Sequence, residues 1–254
     1  MDDDTAPPHR SGMLARRDWR PGVAWGVLGP LLAVDAALIG LHGILGLTLP
    51  TVPDLFHIAR ETSLAEAVGY GKWAVSAILL ALCALRGGGA VALAFAAVLT
   101  LMLADDGLQF HETLGHRLSR AAGLGELGAV DAQSLGEVIV LAAFGAALAP
   151  AILWSVWTAP PQGRWMALRL TGLIAVFALF GGVFDALHAP FEDWRYGAGI
   201  ADLIEDGGEM AVASVITAHV VFLWRDGARS GGASGRRSAP PGRDPRRPRP
   251  GRRR

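Results

Sequence analysis

Apolar residues in this chain come in long blocks with short polar breaks between them. Six blocks stand out, at about 23–49, 64–85, 90–104, 135–157, 165–191 and 203–224, the third continuing as a polar stretch to about 118. A helix that crosses a bilayer needs roughly 20 mostly apolar residues. Lipid supplies no hydrogen-bond partners, so each block must satisfy its own backbone as a helix or as a strand in a closed barrel. The blocks are too long for barrel strands and lack their alternation. The pattern predicts an all-α, polytopic bundle of about six transmembrane helices.

Composition agrees with the pattern. Hydrophobic residues make up 52% of the chain, charged residues 18%, and the mean hydropathy is +0.36. A soluble domain of this size carries more polar surface. The segment 1–22 is polar and contains Arg10, Arg16, Arg17 and Arg20. The first apolar block is about twice the length of a signal-peptide core and has no small-residue cleavage site after it, so it reads as an uncleaved first helix. Cys83 is the single cysteine, which rules out a disulfide within the chain and leaves the redox compartment undetermined.

Formal net charge is zero, yet the basic residues are unevenly placed. Arginines collect in the N-terminal segment, at Arg86, at Arg164 and Arg169, and in the tail, which holds ten after residue 225. The alternate loops are poorer in them. Lys and Arg mark cytoplasmic loops, so the expected topology is six spans in the plasma (inner) membrane with both termini cytoplasmic. The domain reading is then a polar cytoplasmic segment (1–22), a transmembrane domain (23–224) and a basic tail (225–254). Gly, Pro, Ser and Arg dominate the tail, which predicts disorder. It sets topology and suits contact with anionic lipid headgroups. No specific nucleic-acid recognition is expected, and oligomeric state is left open.

Ionisable residues inside spans are costly, roughly 2.5–3.5 kcal/mol each near the centre, and this chain has many. Asp35 and His42 are seven residues apart on helix 1 and share a face. In helix 3, read as continuous to about 118, Asp105, Gln109, Glu112 and His116 form one stripe, with Asp106 beside it and His111 pointing elsewhere. Asp185, His188 and Glu192 form a stripe on helix 5. Glu205, Asp206 and Glu209 open helix 6, and His219 lies further along it. Under the expected topology these groups converge on the outer half of the bundle. Asp105 would lie about 22 Å, and Asp185 about 30 Å, from the inner end of its helix.

So many acids cannot all stay ionised side by side; they need protons, cations or water. Mixed imidazole and carboxylate groups suit zinc, iron or manganese. Glu112-x-x-x-His116 and Asp185-x-x-His188 each put an acid and an imidazole on one face, much as carboxylate bundles that bind two metals do. The expected divalent-metal ligands are therefore Glu112, His116, Asp185, His188, Glu205 and Glu209. Asp105 and Asp106 stand as supporting groups or catalytic bases. A bound metal would serve hydrolysis of a lipid-linked substrate or redox chemistry. A second reading is proton or cation transport through Asp35 and the acidic cluster. A third is a structural or partner-binding protein whose polar network joins helices.

Other features have ordinary explanations. Ser63-x-x-Glu66, Ser134-x-x-Glu137 and Asp202-x-x-Glu205 fit helix-opening capping boxes. Tyr70 and Trp73 fit an interfacial aromatic belt. Lys72, the single lysine, either snorkels or pairs with a buried acid. Gly40, Gly43, Gly46, Gly181 and Gly182 suit close helix contacts. His111 and His116 are five residues apart and turned about 140° from each other, so HETLGH is no zinc-protease helix. The H-x-x-x-H pair of alkaline ceramidases is missing, and there is no P-loop and no G-x-G-x-x-G.

From SLAEAVGYGKW through DDGLQFHETLGH to LIEDGGEM the chain resembles a family of uncharacterised bacterial polytopic membrane proteins. The resemblance covers most of 23–224. It implies the fold and no activity.

Overall fold

The computed structural model describes residues 21–127, 130–184 and 197–235. Among these there is no strand; seven α-helices carry the chain. They are α1 (Pro21–Thr48), α2 (Leu64–Cys83), α3 (Gly89–Leu108), α4 (Phe110–Ala122), α5 (Ala132–Thr158), α6 (Pro161–Ala178) and α7 (Gly197–Gly235). Six of them supply spans long and apolar enough to cross a membrane, and α4 does not. The protein is a multi-pass membrane protein, as the block pattern requires.

The spans alternate in direction. One end of the bundle carries the α1–α2 loop, α4 and the start of α7; the other carries the α2–α3 and α5–α6 turns. We call these the loop end and the turn end. At the turn end the chain reverses through a wide turn at Ala84–Gly88. Gly87 (φ 99°) and Gly89 (φ 71°) there adopt a backbone that side chains disfavour. Arg164 donates from Nε to the Ala159 carbonyl and from Nη2 to the Trp157 carbonyl, both at 3.1 Å, satisfying the end of α5. Trp154, Trp157 and Trp165 are exposed around that turn, where an aromatic belt would lie.

Helix α7 is the centre of the bundle: 56% of its span is buried, against 11% for α1, α5 and α6. Its small residues (GGEMAVASVITA) let neighbouring backbones approach. The larger apolar core joins α2, α3, α6 and α7 through Trp73, Leu80, Phe95, Leu99, Leu170 and Ile216. A smaller one, Leu38, Ile58, Ala65 and Met210, joins α1, the α1–α2 loop, α2 and α7.

Several expectations change. Trp73 is a core residue, 2% exposed, set edge-on against Phe177 rather than at the interface. The polar continuation of helix 3 is not continuous. Gln109 takes a left-handed conformation (φ 52°, ψ 42°), ending α3 and starting α4 in a new direction. Helix 6 opens at Gly197, so Asp202 lies within the helix and is not its cap. The α5 cap is Asp131, whose Oδ1 accepts from the Gln133 and Ser134 N–H groups at 2.7 and 3.0 Å. Half of the Ser63/Glu66 box forms as expected, with Ser63 Oγ accepting from Glu66 N, while the Glu66 carboxylate accepts from Thr62 N, one residue before the cap.

Helix α7 also runs on to Gly235, so eleven residues expected to lack order, 225–235, are helical. An established helix adds residues without a new nucleation step. The rest of the tail lies outside the described residues.

Glycine contacts are redistributed. Gly40, Gly43 and Gly182 face open space among the described residues, and Gly46 meets only Val52. Gly181 makes room for the Glu209 carboxylate, as expected of a contact glycine. The tightest backbone approach is Gly115 of α4 against Gly136 of α5.

Candidate functional site

Three polar groupings lie between the middle of the bundle and its loop end. The first is at the loop end itself. His42 lies in the last two turns of α1. The chain after α1 makes a short 3-10 turn at Asp54–Phe56 and folds back over the helix, burying Ile58. His57 follows that turn, and its ring meets the His42 ring edge-on, with centroids 4.6 Å apart. Asp202, in the second turn of α7, completes the group. One nitrogen from each imidazole and one carboxylate oxygen of Asp202 lie within 4.8 Å of one another.

The local hydrogen bonds define the resting rings. His42 Nδ1 accepts from the Ile58 N–H at 3.4 Å and His57 Nδ1 from the Ala59 N–H at 3.3 Å. Neutral rings therefore carry their proton on Nε2. Both bonds are long, so a tautomer change that frees Nε2 for a ligand sacrifices little. Burial holds the His57 pKa below the ordinary histidine value. His42 and Arg60 push the same way, while Asp202 and Asp54 oppose them. His57 is thus neutral at pH 7, the state that ligates metal. It also lines an open cleft of about 470 Å³ with Thr51, Val52, Pro53, Asp54 and Arg60.

The second grouping surrounds the α3–α4 break. Asp105, buried at the end of α3, accepts from the His111 N–H at 2.9 Å, and its other oxygen meets His111 Nδ1 at 3.0 Å. It thereby caps α4 across the break. Gln109 donates to Glu61 and Tyr70 to Glu66. Glu112, half-buried on α4, has its pKa raised, first by burial and then by Glu61, Glu137 and Asp106, with His111 opposing. Asp106 is exposed.

The third grouping lies mid-span. Lys72 Nζ stands 2.5 Å from Asp35 Oδ1 and donates to the Met210 carbonyl at 3.1 Å. Ser214 Oγ donates to Asp35 Oδ2 at 2.6 Å. Next to it Ser76 Oγ donates to Thr217 Oγ1 at 3.0 Å. Three spans (α1, α2 and α7) are tied together by groups almost wholly removed from solvent. Lys72 thus pairs with a buried acid rather than snorkelling.

The structure sorts the predicted residues. Asp105 and His111 are brought together by the break, whereas His116 sits on α4 apart from that contact. Glu205, Asp206 and Glu209 are half-buried on α7. Asp185, His188 and Glu192 lie outside the described residues. Among the described residues, one set of three His, Asp or Glu ligand atoms gathers tightly enough for a metal ion: His42, His57 and Asp202. Of these the sequence singled out only His42 as an intramembrane polar group. His57 reads as part of a loop and Asp202 as a cap. The one available signal for His57 was its position between apolar Phe56 and Ile58, unusual for a solvated loop.

A family model described as a domain of unknown function (DUF8692) matches residues 19–224. No curated protein and no solved structure matches the chain.

Proposed function

The chain belongs to the DUF8692 family, and from its geometry we propose a membrane protein that binds a divalent transition metal through His42, His57 and Asp202. The observation that carries this reading is the convergence of those three ligand atoms within 4.8 Å from α1, the α1–α2 loop and α7. Two imidazoles and one carboxylate are a donor set for zinc, iron or manganese, and three protein ligands leave coordination positions open. A metal held this way supplies Lewis acidity or redox capacity at the mouth of the cleft.

The chain's own groups have distinct parts. The loop from Thr51 to Arg60 walls the cleft, and Arg60 presents a cation to an incoming acidic group. The apolar layer of Leu38, Ile58, Ala65 and Met210 closes the site off from the middle of the bundle. Localisation to the plasma membrane with the turn end cytoplasmic is supported by Arg86, Arg164 and Arg169 at that end.

Transport of protons or cations is a second reading, favoured by the buried Asp35–Lys72 pair. Ionisable pairs within spans often belong to conduction paths. Flux into liposomes that is lost in Asp35→Asn while circular dichroism shows the variant still folded would support it.

The deciding experiment is elemental analysis of detergent-purified protein beside His57→Ala, Asp202→Asn and Glu112→Ala. About one equivalent of metal, lost in the first two folded variants and kept in the third, is the expected result. Loss in Glu112→Ala with retention in His57→Ala moves the site to α4. A metal-free wild type after reconstitution overturns the reading.

A further inference from the structure

A second cavity lies at the opposite end, on the outer surface of the bundle between α1, α6 and α7. It is a groove of about 420 Å³, lined by Leu28 of α1, Arg169, Gly172 and Val176 of α6, and Val215 and His219 of α7, among others. At about 1.5 Å per residue, Leu28, Arg169 and His219 lie about 10, 12 and 9 Å along their helices from the turn end. The three are level. From there the groove continues toward mid-span along Val176 and Val215, which are apolar.

Arg169 is the charged residue of this lining, and His219 is its other polar side chain. The arginine is exposed within the α6 span, and no carboxylate among the described residues lies within ion-pair distance of it. A charge on the lipid face is costly unless it reaches the interface or meets an anion. Side chains on a helix lean toward its N-terminus, which for α6 is the turn end. Leaning back one turn brings the guanidinium toward the level of exposed Trp165, where lipid headgroups lie. Gly172 sits one turn further in. A Cβ built there meets nothing within 4 Å, so the missing side chain is part of the groove.

We infer that this groove holds one acyl chain of an anionic phospholipid, with the lipid phosphate on Arg169. Charge selects the occupant. A zwitterionic lipid brings a cationic group close to the guanidinium, whereas an anionic one brings only the phosphate, which arginine grips with paired N–H donors. The apolar stretch from Gly172 to Val176 takes the chain.

The test uses the full protein in detergent, with bound phosphatidylglycerol and phosphatidylcholine counted by native mass spectrometry. The wild type is expected to keep one phosphatidylglycerol under conditions that strip phosphatidylcholine. Arg169→Gln should bind phosphatidylglycerol about tenfold more weakly and lose the preference. Gly172→Leu should lose both lipids while remaining folded, since the new side chain enters open space and leucine favours helix. Circular dichroism confirms the fold of each variant. Equal retention of phosphatidylglycerol by wild type and both variants would overturn the site. So would displacement of the lipid by millimolar inorganic phosphate, which would mark Arg169 as a free-anion contact.

Discussion

Lys72 and Asp35 show what a single residue decides in this fold. Each has a charge that lipid cannot solvate, and each is at most 3% exposed. Removing one partner strands the other, at a cost of about 3–5 kcal/mol, whereas removing both with shape retained costs much less. Thermal unfolding in detergent should therefore show large losses for Lys72→Met and for Asp35→Asn, and a partial recovery in the double variant. A double variant as unstable as the sum of the singles would disprove the pairing.

Asp131 is the second residue-scale case. Hydrogen bonds from Ser134, with a smaller contribution from Gln133, hold its carboxyl below the ordinary carboxylate range. The cap's contribution is therefore complete above about pH 4 and is lost as pH falls through the lowered value. Hydrogen exchange at Gln133 and Ser134, corrected for the intrinsic pH dependence, should accelerate only in that acid range, and Asp131→Ala should show the fast rate at neutral pH.

Sequence alone gave Lys72 a choice between interface and ion pair. Its partner could not be read, because many acids competed and α1, α2 and α7 meet only in the folded bundle. His57 escaped notice for the opposite reason: its surroundings come from a loop folding back, which no periodicity records.

At the scale of elements, the helical stretches were legible because lipid enforces one solution for an apolar run. The break at Gln109 was not. The stripe Asp105, Gln109, Glu112 and His116 is a valid helical pattern, and a non-glycine residue at φ 52° leaves no mark in composition. Asp105 compensates by capping the new helix with its side chain.

Glycine roles follow the same logic of contact. A Cβ at Gly115 would fall 2.6 Å from the Glu137 backbone nitrogen, and one at Gly136 would strike the Gly115 carbonyl. Gly115→Val or Gly136→Val should therefore pry α4 from α5 and lower stability by about 1–3 kcal/mol. Gly40→Ala and Gly43→Ala, facing open space, should be neutral or stabilising by up to about 1 kcal/mol. Thermal midpoints of the four variants would rank them. A drop for Gly43→Ala equal to that for Gly136→Val would refute this assignment of contacts.

Across the described part of the molecule, carboxylates predominate at the loop end, where Glu61, Glu66, Asp105, Glu112 and Asp131 outnumber Arg60, Arg117 and Arg120, while Arg86, Arg164 and Arg169 lie toward the other end. Single cysteines introduced at Glu126 and Arg164 in a Cys83→Ala background should label from opposite sides of intact cells, with Arg164 shielded from an impermeant reagent. Labelling of Arg164 from outside would invert the proposed orientation. This polarity was readable from the arginines alone, whereas the site it surrounds was not. His42 and Asp202 are 160 positions apart, and only the packing of the first span against the last makes them neighbours.

The mid-span ion pair has a consequence for biosynthesis. Asp35 and Lys72 belong to the first two spans, separated by 37 positions, while Ser214 lies 179 positions beyond Asp35. At about 5–20 residues per second, roughly 10–35 s of synthesis separate Asp35 from Ser214. During that interval the first two helices can enter lipid as a hairpin whose two mid-span charges neutralise each other. The last helix then arrives to complete the carboxylate's hydrogen bonding. A ribosome that stops before α7 would leave a hairpin that is inserted and electrically balanced yet missing the hydroxyl and carbonyl that hold it closed, a state that quality-control proteases could distinguish from the finished protein.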